Sequence, residues 1–312
     1  MNMELTSLNN KSLLEFAGET VSQDVAAQGV RAVLETHNLN WNVVQKPVYS
    51  ELGVIENTVA NYRDDTNGLL GLVSNRYTVL DNYDAFSFID NLEDFTFDRA
   101  GSSNGGRQVF IVGKTSEKFE IDTNDFVEEY VTFIHGHDGL HAIRLVISPI
   151  RTFCTNQLNV LINRNSFCYS IKHIGDIDSK LRSARSAMLK GSNYLNNLKN
   201  VLGSFRDSKL ENFNISEFVR TLVKERYGTP ISERQIRRTD IMVNEIIDLY
   251  RDKPDNQNYK NTKLGVLNAV SDFVSHQSPQ RVNNADTNTN LFLNNIAGNK
   301  MLDIAYRMLL AA

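Results

Sequence analysis

The chain has little cysteine. Only Cys154 and Cys168 are present, which excludes a disulfide framework and makes a reduced, cytoplasmic setting the default expectation. No apolar run approaches the ~20 residues that a membrane-spanning helix needs. The opening Met1-Asn2-Met3-Glu4-Leu5 has no basic flank or apolar core, so no secretory signal is expected. Internal repeats are absent. No helix-turn-helix, zinc-finger or RNA-recognition signature occurs, so sequence-specific reading of a duplex is not expected. The glycine-rich run Gly101 to Arg107 lacks the Lys-Ser/Thr pair of a phosphate-binding loop and reads as a hairpin tip.

What is present suits a globular protein. Of 312 residues, 41% are hydrophobic and 22% charged, enough to bury a core in one large or two ordinary domains. The net charge of −4 hides a division. Residues 1–130 carry 9 Lys and Arg against 21 Asp and Glu, a balance of −12; residues 131–312 carry 24 against 16, a balance of +8. Such asymmetry points to a polyanion partner for the basic half, or to a basic face packed on the acidic half.

Periodicity predicts an α+β fold: a hairpin-rich antiparallel sheet with flanking helices, followed by a C-terminal α-helical domain. Three segments are expected. Residues 1–40 form an arm and a helix, residues 41–172 the antiparallel α+β domain, and residues 173–312 the helical domain with its basic helices. Strands are expected over Trp41 to Tyr49 and Val54 to Tyr62, and another follows the Asn67-Gly68 turn. The organising stretch is Phe126 to Arg164. It reads as strand, turn at His135 to Gly139, strand, then helix, with Pro149 ending the second strand.

Candidate chemistry is sparse. His135, His137, Asp138 and His141 are metal-ligand types, but their spacing fits polar turn residues better, with His137 at the tip. Cys154 beside Arg151 has no identifiable base. It reads as a small buried residue, with Asn156 as a helix cap and Arg151 paired to a carboxylate. No catalytic residue, metal or cofactor is expected. Positive charge gathers at Lys180, Arg182, Arg185 and Lys190, and again at Arg234, Arg237 and Arg238. Tyr169, Tyr194, Phe205 and Tyr227 lie among these charges, either to stack bases or to fill amphipathic helix cores.

Three stretches carry a resemblance. Ser148-Pro149-Ile150-Arg151-Thr152-Phe153-Cys154-Thr155-Asn156-Gln157-Leu158 resembles the Pro-x-Arg-x-x-Cys-x-Asn-x-Leu core of domain-of-unknown-function family 932, which comprises phage- and plasmid-like proteins. Leu70 to Tyr77, with Asn82 and Phe86, is similar to that family as well, and so is Leu267 to Val274 with His276. The resemblance implies a phage-like origin, and hence the host-cell cytoplasm, but no activity.

Three functional readings stay open. The first is a phage-type protein binding single-stranded nucleic acid without sequence specificity, such as a single-strand annealing or recombination accessory. Its helix, hairpin-rich sheet and following helix broadly resemble the core of the Red-beta and RecT annealing recombinases. The second is a non-enzymatic structural or host-interaction protein that oligomerises. The third is an enzyme with scattered residues. A homo-oligomer and no membrane association are expected throughout.

Overall fold

The computed structural model describes residues 18–151, 168–175, 191–277, 289, 292–293, 296 and 298–312. Antiparallel sheets with flanking helices lead into a helical region, as the periodicity predicts. A six-stranded sheet has the order β1-β5-β6-β7-β8-β9. Its strands are β1 Glu19–Thr20, β5 Thr96–Ser103, β6 Gln108–Asp122, β7 Asp125–Gly136, β8 Ile143–Arg151 and β9 Cys168–Ile171. A three-stranded sheet contains β2 Val43–Ser50, β3 Gly53–Arg63 and β4 Leu69–Ser74. Three short helices accompany the sheets: α1 Gln23–Ala26, α2 Val30–Thr36 and α3 Asn82–Phe86. The helical region contains α4 Gly191–Asp207, α5 Ile215–Tyr227, α6 Glu233–Asp252, α7 Lys263–Asp272 and α8 Lys300–Ala311.

Local chemistry explains several boundaries. Gly29 at φ 85° breaks what periodicity reads as one helix, and it caps α2. The Val30 N–H donates to Asp90 Oδ1 at 2.8 Å, so a remote carboxylate completes that cap. Asn67 takes φ 53°, as its Asn-Gly turn requires. Ser232 and Gln235 form a capping box at the start of α6. Pro149 does not end β8. It pairs with Glu129 and the strand runs on to Arg151. Among the described residues, pairing of β8 with β9 runs from Ile143 to Val146.

Two large apolar cores form among the described residues, beside a small cluster of Ile143 and Ile171. One lies between the large sheet and α2 and α3, and includes Val109 to Val112, Phe133, Ile134 and Leu34, with Phe292 and Ile296 from the distant C-terminal part of the chain. The other unites α4 to α8. The far ends of β6 and β7 enter this second core through Ile121 and Val127. The long β6–β7 hairpin therefore belongs to both. Among the described residues, no helix is long and apolar enough to cross a membrane.

Candidate functional site

The α5–α6 hairpin positions the described part of the predicted basic patch. Helix α6 buries nothing before Met242. Its first two turns therefore stand clear of the body, and Arg234, Arg237 and Arg238 are all exposed. At 100° per residue these three fall within one face, while the buried positions from Met242 onward fall on the other. Arg237 meets Glu233 at 3.9 Å, a contact worth little at such exposure. Among the described residues, Arg234 and Arg238 have no carboxylate partner. Lys180, Arg182, Arg185 and Lys190 lie outside the described residues, as do Cys154 and Asn156.

The aromatic residues divide. Tyr194 and Phe205 are buried in the cores and cannot stack bases, because they sit on the packed faces of amphipathic α4. Tyr169 is half-buried. Tyr227, at the end of α5, is exposed, with the Arg226 guanidinium 4.7 Å from its ring centre.

His135 and His137 are not solvated turn residues, whereas His141 lies in the turn and is half-buried. His135 is within β7 and fully buried, and His137 is 1% exposed. The β7–β8 turn folds against β4 so closely that a Cβ on Gly71 would meet the Asp138 backbone at 2.6 Å. The Trp41 ring packs 4.9 Å from that of His137. Asn82 Oδ1 accepts from His137 Nε2 at 2.8 Å and from His135 Nδ1 at 3.2 Å, while its Nδ2 donates to the Leu39 carbonyl. An amide oxygen only accepts, so this geometry sets both donor tautomers. His173 stacks on His135 at 5.1 Å and on Tyr77 at 4.6 Å.

Three adjacent buried imidazoles stay neutral. Burial lowers all three: His135 falls well below the usual range, His137 to about 3 and His173 to about 4. Charging one would also repel its neighbours. Asp138 closes the turn by accepting from the Leu140 and His141 N–H groups and from His141 Nδ1 at 2.7 Å. Among the described residues, no group of His, Cys, Asp and Glu has the geometry to hold a metal ion.

Arg151 organises a second buried cluster. It is 2% exposed, at the last position of β8. Its Nε lies 2.7 Å from Asp125 Oδ1, and its Nη2 lies 2.6 Å from Asp125 Oδ2. Nη2 also donates to the Asp255 carbonyl at 3.2 Å, and the Tyr259 hydroxyl donates to Asp125 Oδ2 at 2.6 Å. Asp255 and Tyr259 belong to the turn between α6 and α7, so the cluster ties the sheet to the helices. Burial, and then the bond to Asp125, push the Tyr259 hydroxyl pKa up.

The family model for Domain of unknown function (DUF932) matches residues 69–295, well over half of the chain. The chain belongs to this family. No curated protein and no solved structure matches it. In this DUF932 protein the three resembling stretches supply interior polar anchors. Tyr77 and Asn82 hold the histidines, Arg151 holds Asp125, and Asp272 pairs with Lys253. The match begins at the first residue of β4, so the β2–β3 hairpin lies outside it.

Sequence reading missed His173, Asn82, Asp125 and Tyr259 as partners. Each lies 26 or more residues from the group it holds, as with Arg151 and Asp125 or Tyr259 and Asp125 at a separation of 134. Only strand register brings Asp125 beside Arg151, since Val127 pairs with Arg151 across β7 and β8.

Proposed function

We propose that this DUF932 protein binds single-stranded nucleic acid without sequence preference, through the outward face of α6. The observation that carries this reading is the pair of arginines Arg234 and Arg238, without a carboxylate partner among the described residues, on two exposed helical turns. Arg237 shares their face, and Tyr227 offers an exposed ring at the same tip. Guanidinium groups capture phosphates, and a sequence-tolerant ring stacks on a base. Lys180, Arg182, Arg185 and Lys190 add to the positive charge of the same half of the chain. Such a protein serves as a phage-type annealing or recombination accessory in the host cytoplasm, and it needs no catalytic group.

Fluorescence anisotropy with labelled oligonucleotides at several salt concentrations tests this. Binding should weaken steeply with salt, because each phosphate contact releases condensed counterions. Replacing Arg234, Arg237 and Arg238 together by Ala should weaken binding to every sequence alike. It should also flatten the salt slope by about 2, at about 0.7 per contact on single strands. No binding at low salt overturns the reading. A slope unchanged by the triple replacement removes α6 from the interface.

A further inference from the structure

Two parts of the molecule stand clear of the body, and each presents apolar side chains to water. The first is the outer half of the β2–β3 hairpin. β2 buries no residue, and β3 buries none before Ala60. Tyr49, Leu52, Val54 and Ile55 are exposed there, Leu52 completely. Residues 47–62 contain Glu51 and Glu56 and no Lys or Arg. The second is the tip of the α5–α6 hairpin, where Tyr227, Ile231 and Ile236 are exposed. Residues 224–238 carry 5 Lys and Arg against 2 Glu. Exposed apolar clusters of this kind mark contact surfaces.

Backbone pairing along β2 is disfavoured. Pro47 removes a donor, and the register shifts between Pro47 and Tyr49. Contact must therefore come from side chains. We propose that the acidic, apolar end of the β2–β3 hairpin docks on the basic, apolar tip of the α5–α6 hairpin in a second copy of this chain. Both surfaces are apolar and their charges are opposite, which favours and orients the encounter. They are different patches, so the contact is head-to-tail. Each added copy keeps one free hairpin end and one free tip, and growth continues until a ring closes or a filament forms.

This goes beyond the nucleic-acid reading and competes with it for the tip, because Arg234, Arg237, Arg238 and Tyr227 serve both. An oligonucleotide and the hairpin end therefore exclude each other there.

Sedimentation velocity without nucleic acid tests the proposal. The wild-type mass should rise with protein concentration, pass beyond a dimer, and fall back with added salt. Leu52→Asp and Ile231→Asp should each sediment as monomers with unchanged far-UV circular dichroism, since both positions are exposed. Mixed in equal amounts, the two variants should form a heterodimer with one copy of each, and nothing larger. One supplies the intact hairpin end and the other the intact tip. A monomeric wild type at every concentration overturns the proposal. So does assembly that survives either substitution, or a mixture that stays monomeric. Oligonucleotide anisotropy on the same samples separates the two readings. A wild type that stays monomeric and binds oligonucleotide defeats only the docking proposal. An assembling wild type whose Leu52→Asp monomer, with its tip intact and free, does not bind defeats only the nucleic-acid reading.

Discussion

Arg151 and Asp125 are both removed from water, and such a pair stabilises only when its other hydrogen-bonding capacity is filled. Tyr259 and the Asp255 carbonyl fill part of it. Arg151→Met should therefore cost about 3–5 kcal/mol in urea unfolding, because Asp125 is left buried and uncompensated. Adding Asp125→Leu should recover part of that loss; simply additive costs would show that the charges do not interact. The buried titratable groups give a second residue-scale outcome. The imidazoles bind protons when unfolded, from about 6.5 downward, but stay neutral when folded until about 3 to 4. Stability is thus lost as pH falls through that window. Glu129 acts in the opposite sense. Burial pushes its carboxyl from 4.5 up to about 7, so stability is lost as pH rises between those values. The two effects oppose each other in wild type. Glu129→Gln removes one of them, and its melting temperature should then fall steadily from about pH 7 to about pH 5, more steeply than wild type. Equal slopes in calorimetry would contradict the raised Glu129 carboxyl, and a variant whose melting temperature does not fall would contradict neutral buried histidines. Sequence alone marks these residues as polar and near a turn. It does not show that β4 covers the turn, so their burial was not legible.

At the scale of elements, alternation and turn residues make the strands readable. Asn-Gly at Asn67 and the apolar positions from Val127 to Ile147 identify β3–β4 and β7–β8. Among the described residues, six other asparagines also take positive φ, including Asn57, Asn124 and Asn261, where no glycine follows to signal it. How the small sheet meets the large one was not legible, because the contacts are side chain to backbone. Asn61 Nδ2 donates to the His137 carbonyl at 2.8 Å, and the Tyr77 hydroxyl donates to the Gly136 carbonyl at 3.0 Å. Both acceptors lie at the end of β7, so they hold the three-stranded sheet to the body. Asn61→Ala leaves a buried carbonyl without its donor, a loss of about 1–3 kcal/mol. Amide exchange across β2 to β4 should accelerate in this variant, while β6 to β8 keep their protection. Uniform acceleration throughout the chain would mean that Asn61 supports the whole fold.

For the whole molecule, the question is whether two cores unfold as one. The division into a sheet-rich first part and a helical second part follows from the change of apolar period. Their connection does not. It depends on Ile121 and Val127 at the far ends of β6 and β7 entering the helical core, on Phe292 and Ile296 returning to the sheet core, and on the Arg151 cluster between them. Each link spans a long stretch of sequence that periodicity cannot bridge. Together they couple the cores, since separating them would expose apolar surface from both sides and open a buried ion pair. Trp41 is the single tryptophan and is packed 4.9 Å from His137, so its fluorescence reports on the sheet part. Far-UV circular dichroism is dominated by helices, most of whose described length lies in α4 to α8. The two signals should follow one common transition in urea, with a single midpoint. In Arg151→Met the Trp41 and helical transitions should begin to separate, because the polar link at the seam is lost while both apolar cores remain. Separate midpoints already in wild type would show that the cores fold independently and that the shared β6–β7 hairpin does not couple them.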